Sequence, residues 1–168
     1  MDEYKGPLLK DYFNDLPFCK NLMPEDGFIK AEFVKIADGD TAFFKVGRII
    51  ESVRFMVVDT PKYIIQAGDD SEIEPLGEEA TLYSENILKN AKEIYLESDK
   101  GNNLRDDTMS KRLLAWIWCD GKLLNYILIR NGFAYNHYII TEKMKYLDIM
   151  RKAEEEAKEE KLGIFKYN

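Results

Sequence analysis

The chain's pattern predicts an α+β, mainly β fold: a small closed five-stranded antiparallel barrel accompanied by three helices. Three features point to it. Residues 29–37, 41–46 and 49–58 form successive strand-like segments separated by tight-turn residues; 113–118 is an uninterrupted apolar run suited to a strand buried on both faces; and helix-period segments fall once before the fourth strand and twice after the fifth. This order fits a closed barrel better than a doubly wound sheet.

Residues 1–28 form an N-terminal extension in which Pro7, Pro17 and Pro24 interrupt short apolar clusters such as Leu8-Leu9 and Phe13, giving an irregular or briefly helical arm. The domain then occupies residues 29–168. Its first three strands form a meander, turned at Asp38-Gly39 and at Gly47, residue types that permit tight hairpins. After Pro61 a loop carries the acidic run Asp69-Asp70-Ser71-Glu72-Ile73-Glu74. An amphipathic helix follows from about Glu78 to Asn90, with Ala80, Tyr83, Ile87 and Ala91 at helical spacing. Ile94 and Leu96 alternate with charged residues as a fourth strand, 113–118 is the fifth, and Asp120-Gly121 turns the chain. A short helix from Leu123 to Arg130 ends at Gly132, suited to a left-handed C-terminal cap. The last helix, about Glu142 to Lys161, carries Met144, Leu147, Met150, Ala153 and Ala157 as a core stripe, with Glu154 and Lys158 paired on a solvated face.

With 168 residues and 45% hydrophobic side chains, one substantial core is affordable in length but two domains are not. A formal net charge of −7 opposes long-range attraction to a polyanion, so any nucleic-acid site must be local. Cys19 and Cys119 stand alone, without the spacing of a zinc site, and whether they pair is open. No run of eighteen apolar residues suggests a membrane span, and the first thirty residues do not read as a leader. The chain is expected to be a monomer.

The chemistry concentrates between Ile36 and Lys62. Asp38-Gly39-Asp40 and Asp59-Thr60-Pro61 each end an apolar strand, and Arg54 lies within Val53-Arg54-Phe55-Met56-Val57-Val58. Strand ends sit at the rim of a sheet, where two carboxylates and a guanidinium can converge as a cradle for a hard cation and a phosphate. Asp-Gly-Asp alone reads as a hairpin turn; its pairing with Asp59 makes it a candidate site. Arg54 is an unusual residue for an apolar strand and so a candidate for a paired role. Trp116 and Trp118 share one strand face and read as core. His137, the sole histidine, has no neighbour that suggests a triad, and reads as surface or packing.

Seven motifs in order, Asp38-Gly39-Asp40-Thr41, Arg54 with Val58-Asp59-Thr60-Pro61, Gly77-Glu78-Glu79-Ala80, Asp99-Lys100-Gly101, Arg112-Leu113-Leu114-Ala115-Trp116, Asn131-Gly132-Phe133-Ala134 and Glu160-Lys161-Leu162-Gly163-Ile164-Phe165, resemble the staphylococcal nuclease (thermonuclease) family across about residues 29–166. The resemblance implies an OB-type five-stranded barrel with three helices and calcium-dependent hydrolysis of DNA and RNA phosphodiesters, in single-stranded or unwound nucleic acid. It implies Ca2+ ligation by Asp40, Asp59 and the Thr60 carbonyl, with Asp38 and Glu79 in support. Arg54 and Arg112 would grip the phosphate, and Tyr138 would lie beside the nucleotide. Family members are often exported.

Lys62 occupies the place of the family's catalytic glutamate. An ammonium cannot take a proton from water near neutral pH and is repelled by a divalent ion. General-base assistance is worth roughly 100- to 10,000-fold, so its loss implies a slowed hydrolase. A second departure is Thr108-Met109-Ser110-Lys111 before Arg112, where the family favours a tyrosine-glycine pair. A carboxylate of the acidic loop is a candidate replacement base. The alternative is a catalytically silent barrel that binds nucleic acid, nucleotide or protein.

Overall fold

A computed structural model describes residues 3–20, 23–68, 71–100 and 104–166. Asp69 and Asp70 of the acidic run, Gly101 of the Asp99-Lys100-Gly101 motif, and parts of the N-terminal arm lie outside the described residues.

Five strands close a barrel: β1 (Phe28–Asp38), β2 (Thr41–Val46), β3 (Ile49–Phe55), β4 (Ile94–Glu97) and β5 (Leu113–Cys119). β1 pairs with β2 and β2 with β3, both antiparallel, as the meander predicts. β4 joins β1 to β5, again by antiparallel pairing. The ring is completed by β3 and β5, which run parallel, with Val53, Arg54 and Phe55 opposite Leu113, Leu114 and Ala115. The barrel is therefore mixed. A parallel pair needs a long crossover, which here contains the first helix, α1 (Gly77–Asn90), and β4. Helices α2 (Leu124–Arg130) and α3 (Leu147–Glu159) follow the last strand.

β5 is buried at every position, in keeping with its continuous apolar run. Phe44, Val53, Phe55, Leu96 and Ile117 fill the interior. Trp116 and Trp118 are wholly buried, and their indole N–H groups donate to Asp99 (3.0 Å) and Glu97 (2.8 Å). Glu97 also accepts from the Tyr146 hydroxyl (2.8 Å) and faces the Lys145 ammonium at 3.3 Å. Burial nevertheless dominates: it pushes the carboxyls of Glu97 and Asp99 above their ordinary range, against the hydrogen bonds that favour their ionised forms.

Two boundaries and one loop differ from the sequence-based expectation. The third strand was expected to reach Val58 but stops at Phe55, because Val57 turns into the left-handed region at φ 70°, and Val58–Asp59 then pairs with Tyr135–Asn136. The loop after Pro61 contains a short hairpin, Tyr63–Ile64 against Glu72–Ile73. The last helix starts at Leu147 rather than Glu142, since the Lys145 backbone N–H is drawn to Asp99 (2.7 Å). The N-terminal arm docks on the barrel: Leu9 is buried and its N–H donates to the Gly121 carbonyl (2.9 Å), while the Tyr4 ring meets Tyr126 edge to face. Cys19 and Cys119 are not joined by a disulfide. Among the described residues no helix is long and apolar enough to cross a membrane.

Candidate functional site

The β1–β2 turn, the end of β3 and the segment after it meet at one end of the barrel, bringing Asp38, Asp40, Arg54, Asp59, Thr60 and Lys62 together. The turn is pressed against Thr60: a β-carbon on Gly39 would lie 2.6 Å from the Thr60 hydroxyl oxygen, so a larger residue would force the two segments apart. Ser84 of α1 donates to the Gly39 carbonyl (2.6 Å) and holds the turn from the other side. The bend at Val57 brings Asp59 back towards Asp40.

Asp40 is almost completely buried, and both its oxygens are engaged. Oδ1 accepts from the Thr41 hydroxyl (3.0 Å); Oδ2 accepts from the Thr60 backbone N–H (3.1 Å) and lies 3.3 Å from Arg54 Nη2. Asp38 accepts from the backbone N–H groups of Gly39 (2.9 Å) and Tyr63 (3.1 Å). Its carboxyl is raised above the ordinary aspartate range, first by burial and then by the neighbouring charge of Asp40, against the opposing pull of those N–H groups and Lys62.

Arg54 is also buried, and its two terminal nitrogens differ. Nη1 donates to the carbonyls of Phe55 (3.0 Å) and Val58, fastening the bend that shapes the site. Nη2 lies 3.3 Å from Asp40 and 3.8 Å from Asp59 but makes no hydrogen bond among the described residues. Nη2 is thus buried between two carboxylates at ion-pair distance, with hydrogen-bonding capacity left over. Tyr138 covers the guanidinium at 5.2 Å from its ring centroid, with much of its own ring exposed.

Arg112 joins through a relay: its Nη1 donates to the Thr41 hydroxyl (3.3 Å), which donates to Asp40. Asp106 holds Arg112 in place, accepting from Nε (2.7 Å) and from the backbone N–H (3.0 Å). Burial opposes ionisation of Asp106, but hydrogen bonds from Thr108 and Arg112 outweigh it and leave the carboxyl below its ordinary range. Arg54, Arg112, Lys62 and Tyr138 border one cleft of about 400 Å³.

Glu79 is not brought into this group: it is exposed on the first turn of α1 and makes no hydrogen bond or ion pair with these residues among those described. His137, read from sequence as surface or packing, instead places Nδ1 3.1 Å from Asp59 Oδ2. Nothing local marked it, because the contact depends on the pairing of Tyr135–Asn136 with Val58–Asp59. Asp106, Thr41 and Ser84 were likewise invisible as positioning residues; only their places inside or beside the motifs hinted at them.

Calcium takes six to eight oxygen ligands. Here the four carboxylate oxygens of Asp40 and Asp59 already face protein partners, and the Lys62 amine lies 3.8 Å from Asp38 and 3.9 Å from Asp40. Among the described residues no group of three or more His, Cys, Asp or Glu is arranged to hold a metal ion. In this arrangement the residues do not fit a resident calcium ion.

Comparison with known proteins places this geometry in context. The family profile described as "Staphylococcal nuclease homologue" matches residues 52–167. The chain is 35% identical over 149 residues to endonuclease YncB of Bacillus subtilis (strain 168), covering 89% of this chain and 66% of that protein. It is 34% identical over 134 residues to the SPbeta prophage-derived endonuclease YokF of the same organism, covering 80% of this chain and 43% of that protein. An uncharacterized Bacillus anthracis protein is 30% identical over 137 residues, covering 82% of this chain and 61% of its own length. The chain thus spans between 43% and 66% of the lengths of these curated relatives.

Proposed function

The chain belongs to the staphylococcal nuclease family, and from that membership we propose that it hydrolyses phosphodiester bonds of single-stranded or unwound nucleic acid, at a reduced rate. The observation that carries the reading is convergence: Arg54 and Arg112, remote in sequence, border one cleft beside Asp40 and Asp59.

Phosphoryl transfer accumulates negative charge on the non-bridging oxygens, and fixed guanidinium donors stabilise that charge without reorganising during the step. Arg54 offers Nη2, with Nη1 already spent on backbone carbonyls. Arg112 is aimed by Asp106, and Tyr138 presents an exposed ring beside Arg54, on which a base or sugar can rest. With lysine at 62, no carboxylate stands at the position of the family's general base, so water attacks with less assistance. Because Asp40 and Asp59 already have protein partners, this hydrolysis draws on no resident calcium ion.

The substitution at 62 favours a second reading, a silent barrel that retains phosphate binding. Labelled single-stranded DNA separates the two. The hydrolase reading expects slow appearance of cut product that disappears in Arg54→Ala and Arg112→Ala. Retention of DNA on the protein without any product supports the silent barrel instead.

A further inference from the structure

We propose that the Lys62 ammonium is a tethered counter-ion on Asp40, one of the carboxylates that the resemblance gives to a divalent cation, and on its neighbour Asp38, so that this chain engages nucleic-acid phosphate without metal. The inference rests on the nucleic-acid reading above for its ligand, but the cation itself is a separate matter with its own test.

Asp38 and Asp40 are 4% and 1% exposed, and two carboxylates taken that far from water need compensating positive charge. Arg54 reaches Asp40, at 3.3 Å, but has no ion pair with Asp38. Lys62 serves both, with Nζ 3.8 Å from Asp38 Oδ2 and 3.9 Å from Asp40 Oδ2. It also borders the same cleft as Arg54 and Arg112, so a phosphate entering there meets three fixed cations of the protein itself.

The lysine is built in rather than draped over an acidic surface. Its carbonyl accepts from the Glu74 N–H (2.8 Å), and its own N–H donates to the Glu74 side-chain oxygen Oε1 (3.3 Å), just beyond the paired residues of the Tyr63–Ile64/Glu72–Ile73 hairpin. The start of α1 then closes on it: a β-carbon on residue 77 would lie 2.1 Å from the Lys62 carbonyl oxygen, a separation that only glycine permits. With its backbone pinned on two sides, the side chain is delivered to the carboxylates. An ammonium there and a divalent ion on the same oxygens repel each other at contact distance, so one excludes the other.

The test measures calcium binding by isothermal titration calorimetry, and melting temperature in calcium against EDTA, for the full chain and for Lys62→Gln and Lys62→Glu. Circular dichroism identifies any variant that fails to fold; Lys62→Gln keeps the side-chain length and is the milder of the two. The wild type is expected to show no calcium heat and the same melting temperature in both buffers, and the folded variants to give a saturable calcium heat and a melting temperature higher in calcium than in EDTA. Wild-type binding equal to that of the variants would overturn the proposal. So would variants no better than wild type, because Lys62 would then not be what occupies the place. A filter-binding assay with labelled single-stranded DNA is run in parallel. Retention by the wild type in EDTA supports the metal-free site, and retention that requires calcium overturns it. Absence of DNA binding in either buffer counts against the nucleic-acid reading, while the calorimetry still decides the role of Lys62.

Discussion

Arg54→Lys keeps the charge and removes the geometry, so it separates what the guanidinium does for the fold from what it does for the phosphate. In the wild type Nη1 is fastened to the carbonyls of Phe55 and Val58, both buried, and these bonds hold the bend that returns Asp59 to Asp40. A hydrogen bond from a charged donor contributes a net ~1.5–3 kcal/mol, and a buried carbonyl left without a partner costs ~1–3 kcal/mol. A lysine ammonium can reach one of the two carbonyls but not also the cleft, so the expected destabilisation is about 2–4 kcal/mol. Urea unfolding followed by fluorescence of Trp116 and Trp118, the chain's only tryptophans, measures it directly. Cleavage of single-stranded DNA should fall roughly 100-fold at a denaturant-free temperature where the variant is fully folded, as expected when one preorganised donor is removed from a developing oxyanion. A stability change under about 0.5 kcal/mol would refute the claim that Nη1 holds the bend. Unchanged cleavage by a folded variant would remove Arg54 Nη2 from the phosphate.

Other outcomes follow from the same contacts. Asp106→Ala, which frees Arg112 without touching its charge, should lower kcat/KM by about 10-fold or more while Asp106→Glu recovers part of the loss; equal rates would mean that Arg112 does not need its partner. Glu97→Ala strands the Trp118 and Tyr146 donors and the Lys145 charge, and should destabilise the fold by about 3–5 kcal/mol in urea titration. Because burial raises the Glu97 carboxyl, the stability linked to its protonation is complete below the ordinary glutamate range and is lost as pH rises through the folded-state value. The stability of the wild type relative to Glu97→Gln should therefore decline with rising pH, and a gain would contradict the assigned direction. Gly77→Ala should be markedly destabilising despite the better helix propensity of alanine, since its β-carbon has no room against the Lys62 carbonyl; a more stable protein would refute the close approach.

Much of the barrel was legible because period and punctuation agree. The β1–β2–β3 meander follows from alternation broken at Asp38-Gly39 and Gly47, and the buried β5 from the absence of any polar residue between Leu113 and Trp118. The parallel β3–β5 pairing was not legible, as it depends on how the chain returns after α1 and not on either strand alone. The same distinction applies to the site. Asp38, Asp40, Arg54 and Asp59 stand out locally, as charges at the ends or within apolar strands, and they do meet. Arg112 meets them through Thr41, a connection made by β2 and the β5 entry together. The contacts of His137 with Asp59, of Asp106 with Arg112 and of Glu74 with Lys62 each join segments whose proximity exists only in the folded chain.

The most direct measurement is a time course of end-labelled single-stranded DNA with purified wild type and with the Arg54→Ala/Arg112→Ala double variant, in calcium and in EDTA. The account predicts slow product formation by the wild type, reduced at least about 100-fold in the double variant. No product from the wild type in either buffer, or equal rates for the two proteins, would contradict it.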